Sequence, residues 1–195
     1  YIRYVDQMVF ELVCKMIQES IQKGMKMVPI SFNLSKASFE DEPFMQEYME
    51  VFQQFDIPKE YIEFELLESI SMDNSDKLIK VVDTIHKAGF RCALDDFGSG
   101  YSSMSVLARV PIDIIKLDRS LFQNPYRDID KFLIVDGLLD ILHHFPVQIV
   151  AEGVEDETVA EHMRQDGCDM IQGFYYYRPM PMDEFQRLIA EQGEC

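Results

Sequence analysis

Apolar residues first recur at helical spacing, at Val5, Met8, Val9, Leu12, Val13, Met16 and Ile17, and predict a helix over residues 5–21 that stops at Gly24. The run 28–34 that follows, with Pro29 near its beginning, reads as a strand. An amphipathic helix over 43–55 comes next, with Pro43 suited to its first turn. From there strands and helices alternate. Strands are predicted at 61–66, 90–94, 112–116, 147–151 and 169–172. Helices are predicted at 76–88, 103–108, 128–144, 158–166 and 182–191, with Gly89 and Gly167 closing two of them. About six strands, each followed by a helix, specify an α/β fold. With no repeat, low-complexity tract or linker, residues 1–195 read as one domain, either an open doubly wound sheet or a (β/α) barrel.

The polar positions favour the barrel. Asn33, Glu65, Asp95 with Asp96, Lys116, Glu152 and Gln172 stand in turn at the C-terminal ends of the six strands. A barrel gathers those ends on one face, whereas an open sheet spreads them along an edge. Singly, each has a structural explanation, since Asn33 could begin a turn, Lys116 could reach solvent and Gln172 could bond a loop. Six such placements in a row call for a common cause. The Asp95-Asp96 pair adds a condition of its own. Neighbouring side chains on a regular strand point to opposite faces, so both acids serve one site only if the backbone turns there. Gly98 and Gly100, just beyond, permit such a turn.

Charge narrows the partners. With 35 acidic against 18 basic residues and a net charge of -17, the chain repels polyanions, which argues against nucleic-acid polymers and anionic membranes. A small anion could still bind where metal ions and a few cations offset its charge. Cys14, Cys92, Cys168 and Cys195 show no paired or finger-like spacing, and reduced buried thiols point to the cytoplasm. His86, His143, His144 and His162 form no local metal motif, so oxygen ligands are expected for any metal. No run is apolar for long enough to span a bilayer, although a tether elsewhere in a longer protein is compatible with this.

Asn33, Glu65, Asp95 and Asp96 make an all-oxygen donor set suited to Mg²⁺ or Mn²⁺. Two such ions about 3.5–4 Å apart need a bridging carboxylate, which adjacent aspartates can supply. Glu152 is then free to act as a base, with Lys116 as a nearby cation, and phosphodiester hydrolysis is the chemistry this suggests. An unrelated metal enzyme abstracting a proton at carbon is the competing chemical reading.

The motifs Asn33-Leu34-Ser35, Glu65-Leu66-Leu67-Glu68-Ser69, Asp95 to Ser103, Ile115 to Ser120, Ala151-Glu152-Gly153-Val154-Glu155, Gln172-Gly173-Phe174 and Arg178-Pro179 occur in this order. Together they resemble the EAL-domain phosphodiesterases of bacterial cyclic di-GMP signalling. The resemblance implies a (β/α)₈ TIM-like barrel that hydrolyses cyclic di-GMP to linear diguanylate (pGpG) with Mg²⁺ or Mn²⁺ in a two-metal site. It implies Asn33, Glu65, Asp95 and Asp96 as metal ligands, Glu152 as general base and Lys116 as the holder of the catalytic water. It also implies Gln172 and Glu155 as site positions and Glu68 as the anchor of the Asp-Asp-Phe-Gly loop. Ser99 and Leu67 each stand where the family usually has Thr, and Leu67 removes a hydroxyl beside that anchor. The Glu-Ala-Leu motif itself does not occur, and six strands leave an eight-stranded barrel incomplete. The expectation is therefore a domain lacking its N-terminal strands, impaired in hydrolysis by itself, with apolar edges near Val28 and Met170 that favour a homodimer. Sensory or diguanylate cyclase domains are expected in the full-length protein. A module that binds cyclic di-GMP or a protein partner without turnover is the alternative function.

Overall fold

The structure, a computed structural model, describes residues 1–38, 43–68, 75–99, 107–122 and 132–192. Strands and helices alternate as the hydrophobic pattern predicts, and every recorded strand pairing is parallel. The chain divides into two compact units.

The first unit comprises residues 1–66, 83–91 and 179–195. It contains helix α1 (Ile2–Gln22), strand β1 (Ile30–Asn33), helix α2 (Phe44–Phe52), most of strand β2 (Ile62–Leu67), the last part of helix α3 (Ser75–Ala88) and helix α6 (Met182–Gln192). Phe32 and Phe64 are register partners on β1 and β2. Both pack against Phe10 of α1 and Tyr48 of α2, with ring centroids 5.5–5.8 Å apart. Phe90 closes the cluster by meeting Phe52 and Phe64 edge-on. Because side chains alternate along a strand, Ser31, Asn33, Glu63 and Glu65 take the opposite face of β1 and β2. Glu63 is buried there and neutralised by Arg91 at 2.8 Å.

Helix α1 is apolar on two sides, and the positions that carried its prediction are mostly not the buried ones. Val5, Met8, Val9 and Leu12 are exposed, whereas Phe10, Cys14 and Ile17 face the core. Counting apolar spacing finds the helix but cannot rank two competing stripes. The same helix holds the loop after β1. The Asp6 carboxylate accepts hydrogen bonds from Ser35 N (3.2 Å), Ser35 Oγ (2.5 Å) and Ser38 Oγ (2.6 Å). Asp6→Ala leaves these donors without that acceptor and is expected to cost about 1–3 kcal/mol. Urea denaturation checks this, and an unchanged midpoint would show that water replaces the carboxylate without loss.

The second unit comprises residues 67–82 and 92–178. Strands β3 (Arg91–Phe97), β4 (Ile114–Leu117), β5 (Gln148–Ala151) and β6 (Met170–Ile171) lie side by side in that order, and helices α4 (Leu133–Leu142) and α5 (Glu157–Gln165) belong to the same unit. Asp156 caps α5 by accepting from Val159 N at 3.0 Å. Two expected strand residues fall just outside their strands for a shared reason. Asp113 and Asp169 precede β4 and β6, and their carboxylates accept the backbone N–H of Cys92 and Ile149, each at 2.7 Å. Val28 likewise precedes β1, and it and Met170 are exposed. The expected helix over 103–108 lies largely outside the described residues, as do 128–131 of the expected helix over 128–144.

Cys14, Cys92 and Cys168 are free thiols. Burial pushes Cys14 and Cys168 up to about 12 and Cys92 higher still, so all three stay protonated near neutral pH. Among the described residues no helix is long and apolar enough to cross a membrane.

Candidate metal centre at the strand ends

The floor of the site in the second unit is apolar. Ala93, Ile114 and Val150 form a buried cluster on one face of β3, β4 and β5. Two residues further along the same face come Asp95, Lys116 and Glu152. Each strand thus changes from apolar to charged toward its C-terminal end. Lys116 is 6% exposed. Its Nζ lies 2.5 Å from Glu152 Oε1 and 3.8 Å from Asp95 Oδ1.

Asp96 reaches the same place through a bulge. Leu94 pairs with Ile115 and Phe97 with Leu117, so Asp95 and Asp96 together stand opposite Lys116 alone. Asp96 takes a left-handed backbone conformation (φ 58°), which aspartate tolerates better than most residues. Its N–H donates to Asp95 Oδ1 at 3.0 Å. The turn that both acids require is therefore made within the strand, which runs on to the fully buried Phe97 instead of ending at Leu94. Gly98 is also left-handed (φ 94°), and a Cβ there would come within 2.6 Å of Leu121. Gly100 lies outside the described residues.

The carboxylates of Asp95, Asp96 and Glu152 offer oxygens that all lie within 4.8 Å of one another. Three carboxylates around one ammonium leave a negative centre built only from oxygen donors, the chemistry that hard divalent cations prefer. Glu152 reports the same imbalance. Its pKa is raised to about 7, because burial outweighs the opposing pull of Lys116 and Asp95 adds to the rise. Asparagine also tolerates the left-handed region, so Asp96→Asn is expected to keep the fold and weaken divalent-ion binding. Circular dichroism and Mn²⁺ titration check the two halves. Wild-type Mn²⁺ affinity would remove Asp96 from the donor set.

Loops hold this arrangement. Glu68 is buried, its backbone N–H donates to Asp95 O at 3.0 Å, and its Oε2 accepts from Gly98 N at 3.3 Å. Leu67 beside it is exposed. After β5, Gly153 (φ 65°) lies so close to Arg119 that a Cβ would sit 2.8 Å from that residue's own Cβ. Glu155 then pairs with Arg119 at 3.5 Å, both exposed. Gln172 is exposed, and its backbone joins Ala151 O and Val154 N. In the first unit, Asn33 and Glu65 are register partners, with Glu65 buried and Asn33 exposed.

The sequence reading missed Asp6, Arg119 and Gly173, which support loops and carry no chemistry of their own. Asp6 lies far from every motif in sequence, and Arg119 stood inside the run Ile115 to Ser120 with no sign of its contacts. Gly173 stood inside a motif, yet its close approach to Val154 has no sequence signal.

The chain is similar to known proteins in sequence and fold. The model of the EAL domain matches residues 1–179. Signaling protein YkoW of Bacillus subtilis is 29% identical over 96% of the chain and 23% of its own length. Cyclic di-GMP phosphodiesterase PdeB of Shewanella oneidensis is 32% identical over 84% of the chain and 20% of its own length. The chain thus spans about a fifth to a quarter of the length of these curated relatives. Among solved structures, the PaMucR phosphodiesterase in complex with c-di-GMP superposes with a TM-score of 0.86 at 28% identity, covering 94% of this chain and 74% of that one. An alternating α/β fold with carboxylates at its strand ends, matched over nearly its whole length, places this chain in the EAL domain family.

Proposed function

We propose that the strand-end site is the phosphodiesterase centre of the protein that carries this chain, and that it hydrolyses cyclic di-GMP to pGpG. The observation that carries this reading is the convergence of the Asp95, Asp96 and Glu152 carboxylates, with Lys116 beside Asp95 and Glu152. The names of the relatives supply the substrate.

Asp95 and Asp96 would hold Mg²⁺ or Mn²⁺. When bound, these ions supply Lewis acidity at the phosphate and lower the pKa of water. Glu152, raised toward neutrality, accepts the proton of the attacking water at a carboxylate oxygen. Lys116 Nζ, beside Glu152 and Asp95, donates to that water and offsets phosphate charge. The water oxygen bonds to phosphorus as one bridging P–O ester bond breaks, and the leaving ribose oxygen takes a proton from solvent, giving a linear product with a free hydroxyl. Glu68 keeps the bulge in place through Asp95 O and Gly98 N. Gln172 and Glu155 line the surrounding loops on the substrate side.

Turnover in ¹⁸O-water tests the bond assignment. One ¹⁸O atom in the phosphate of pGpG per turnover is expected, and label in a ribose hydroxyl would contradict it. A homodimer is part of this reading, supported by the exposed Val5, Met8, Val9 and Leu12 on α1. Light scattering that gives a monomer mass would remove it.

A further inference from the structure

Helices α4 and α5 bring together a second set of ligating side chains that uses none of the strand-end carboxylates. His162 and Asp166 stand four residues apart on one face of α5 and its C-terminal cap, and Asp136 faces them from α4. His162 Nε2 lies 2.7 Å from Asp136 Oδ1 and 2.9 Å from Asp166 Oδ2. A ring nitrogen carries at most one hydrogen, yet two carboxylates approach this one at hydrogen-bonding distance. One N–H cannot point well at both, and the two anions call for a positive centre between them. The imidazole plane is also fixed, because Phe132 stacks on it with centroids 3.5 Å apart and planes 13° from parallel.

We propose that Asp136, His162 and Asp166 form a site for a first-row divalent ion of the zinc class, which clamps α4 to α5. Two hard carboxylates joined by a borderline imidazole suit Zn²⁺, Mn²⁺ or Co²⁺ better than Mg²⁺. Such ions take these donors at about 2.0–2.2 Å, which spaces the donors about 3 Å or slightly more apart. The observed 2.7 and 2.9 Å need only a small outward movement of two partly exposed carboxylates. A surface cavity lined by Asp136, Asp140, His143 and Asp166 borders two of the three donors. The sequence showed no metal motif because the set is split between helices, with only the His162 to Asp166 spacing local.

The test is calorimetric titration of Zn²⁺ into metal-stripped protein in saturating Mg²⁺, so that the strand-end oxygen site is filled. Wild type is expected to bind one Zn²⁺ that the Asp96→Asn protein also binds. Asp136→Asn and His162→Gln are expected to weaken it by about 100-fold or more. Asparagine is isosteric with Asp136 on a half-exposed helix surface, so that variant keeps its fold. A visible Co²⁺ ligand-field band in wild type, lost in Asp136→Asn, gives a second readout. Zn²⁺ affinity equal in wild type and both variants overturns the proposal. So does a wild-type protein that takes up no Zn²⁺, which would leave the three residues as a hydrogen-bonded link between helices.

Discussion

Replacing Glu152 with glutamine is expected to lower cyclic di-GMP hydrolysis by about 10²–10⁴-fold while leaving nucleotide binding nearly intact. Glutamine keeps the shape of the side chain but cannot accept the proton of water. Turnover near the wild-type rate would transfer the base role to another residue. The same variant has a signature in stability. Glu152 titrates at about 7 in the folded, metal-free chain, against 4.5 for an ordinary glutamate. Between those values the folded chain holds a proton that the unfolded chain has released, so this residue's contribution to stability falls as pH rises through that window. It is constant below the lower value and above the upper one. Glutamine removes the slope, so Glu152→Gln gains relative to metal-free wild type between pH 5 and pH 8. Urea denaturation at both pH values checks this, and a pH-independent difference would contradict the burial of that carboxylate.

Gly173→Ala is expected to destabilise the chain by about 3 kcal/mol, near the upper end for one added methyl group. The new Cβ would lie 2.1 Å from Val154 O and 2.4 Å from Val154 N, backbone atoms that cannot rotate aside. Val154 N donates to Gln172 O at 3.1 Å and Tyr175 N to Val154 O at 3.0 Å. Separating these segments breaks both bonds and displaces the loop between Glu152 and Glu155, so hydrolysis falls together with stability. Gly137→Ala is the control. That glycine lies in α4 with nothing within 4 Å of an added Cβ, and its replacement is expected to stabilise by about 0.5–1 kcal/mol. A Gly173→Ala midpoint equal to wild type would show that the two loops are free to separate.

The alternation of strands and helices was legible because it rests on local apolar periodicity, which short segments carry by themselves. The strand-end placement of Asp95, Lys116 and Glu152 was legible for the same reason, since a strand's end can be read from where its apolar run stops. The bulge was not. Leu94 looked like the end of β3 because two acids follow it, and only the pairing of Phe97 with Leu117 shows that the ladder resumes. Which face of α1 is buried was hidden too, since both are apolar and tertiary packing around Phe10 decides. The convergence of Asp136 and His162, 26 residues apart in sequence, depends on how two helices pack, which no local pattern encodes.

The most direct test of the strand-end centre is the fate of cyclic di-GMP incubated with the protein that carries this chain, with Mn²⁺ or with excess EDTA, followed by chromatography. The account predicts conversion to pGpG that requires the ion and is lost on Asp95→Asn. Tight nucleotide binding with no pGpG at any metal concentration would contradict it and make the site a sensor.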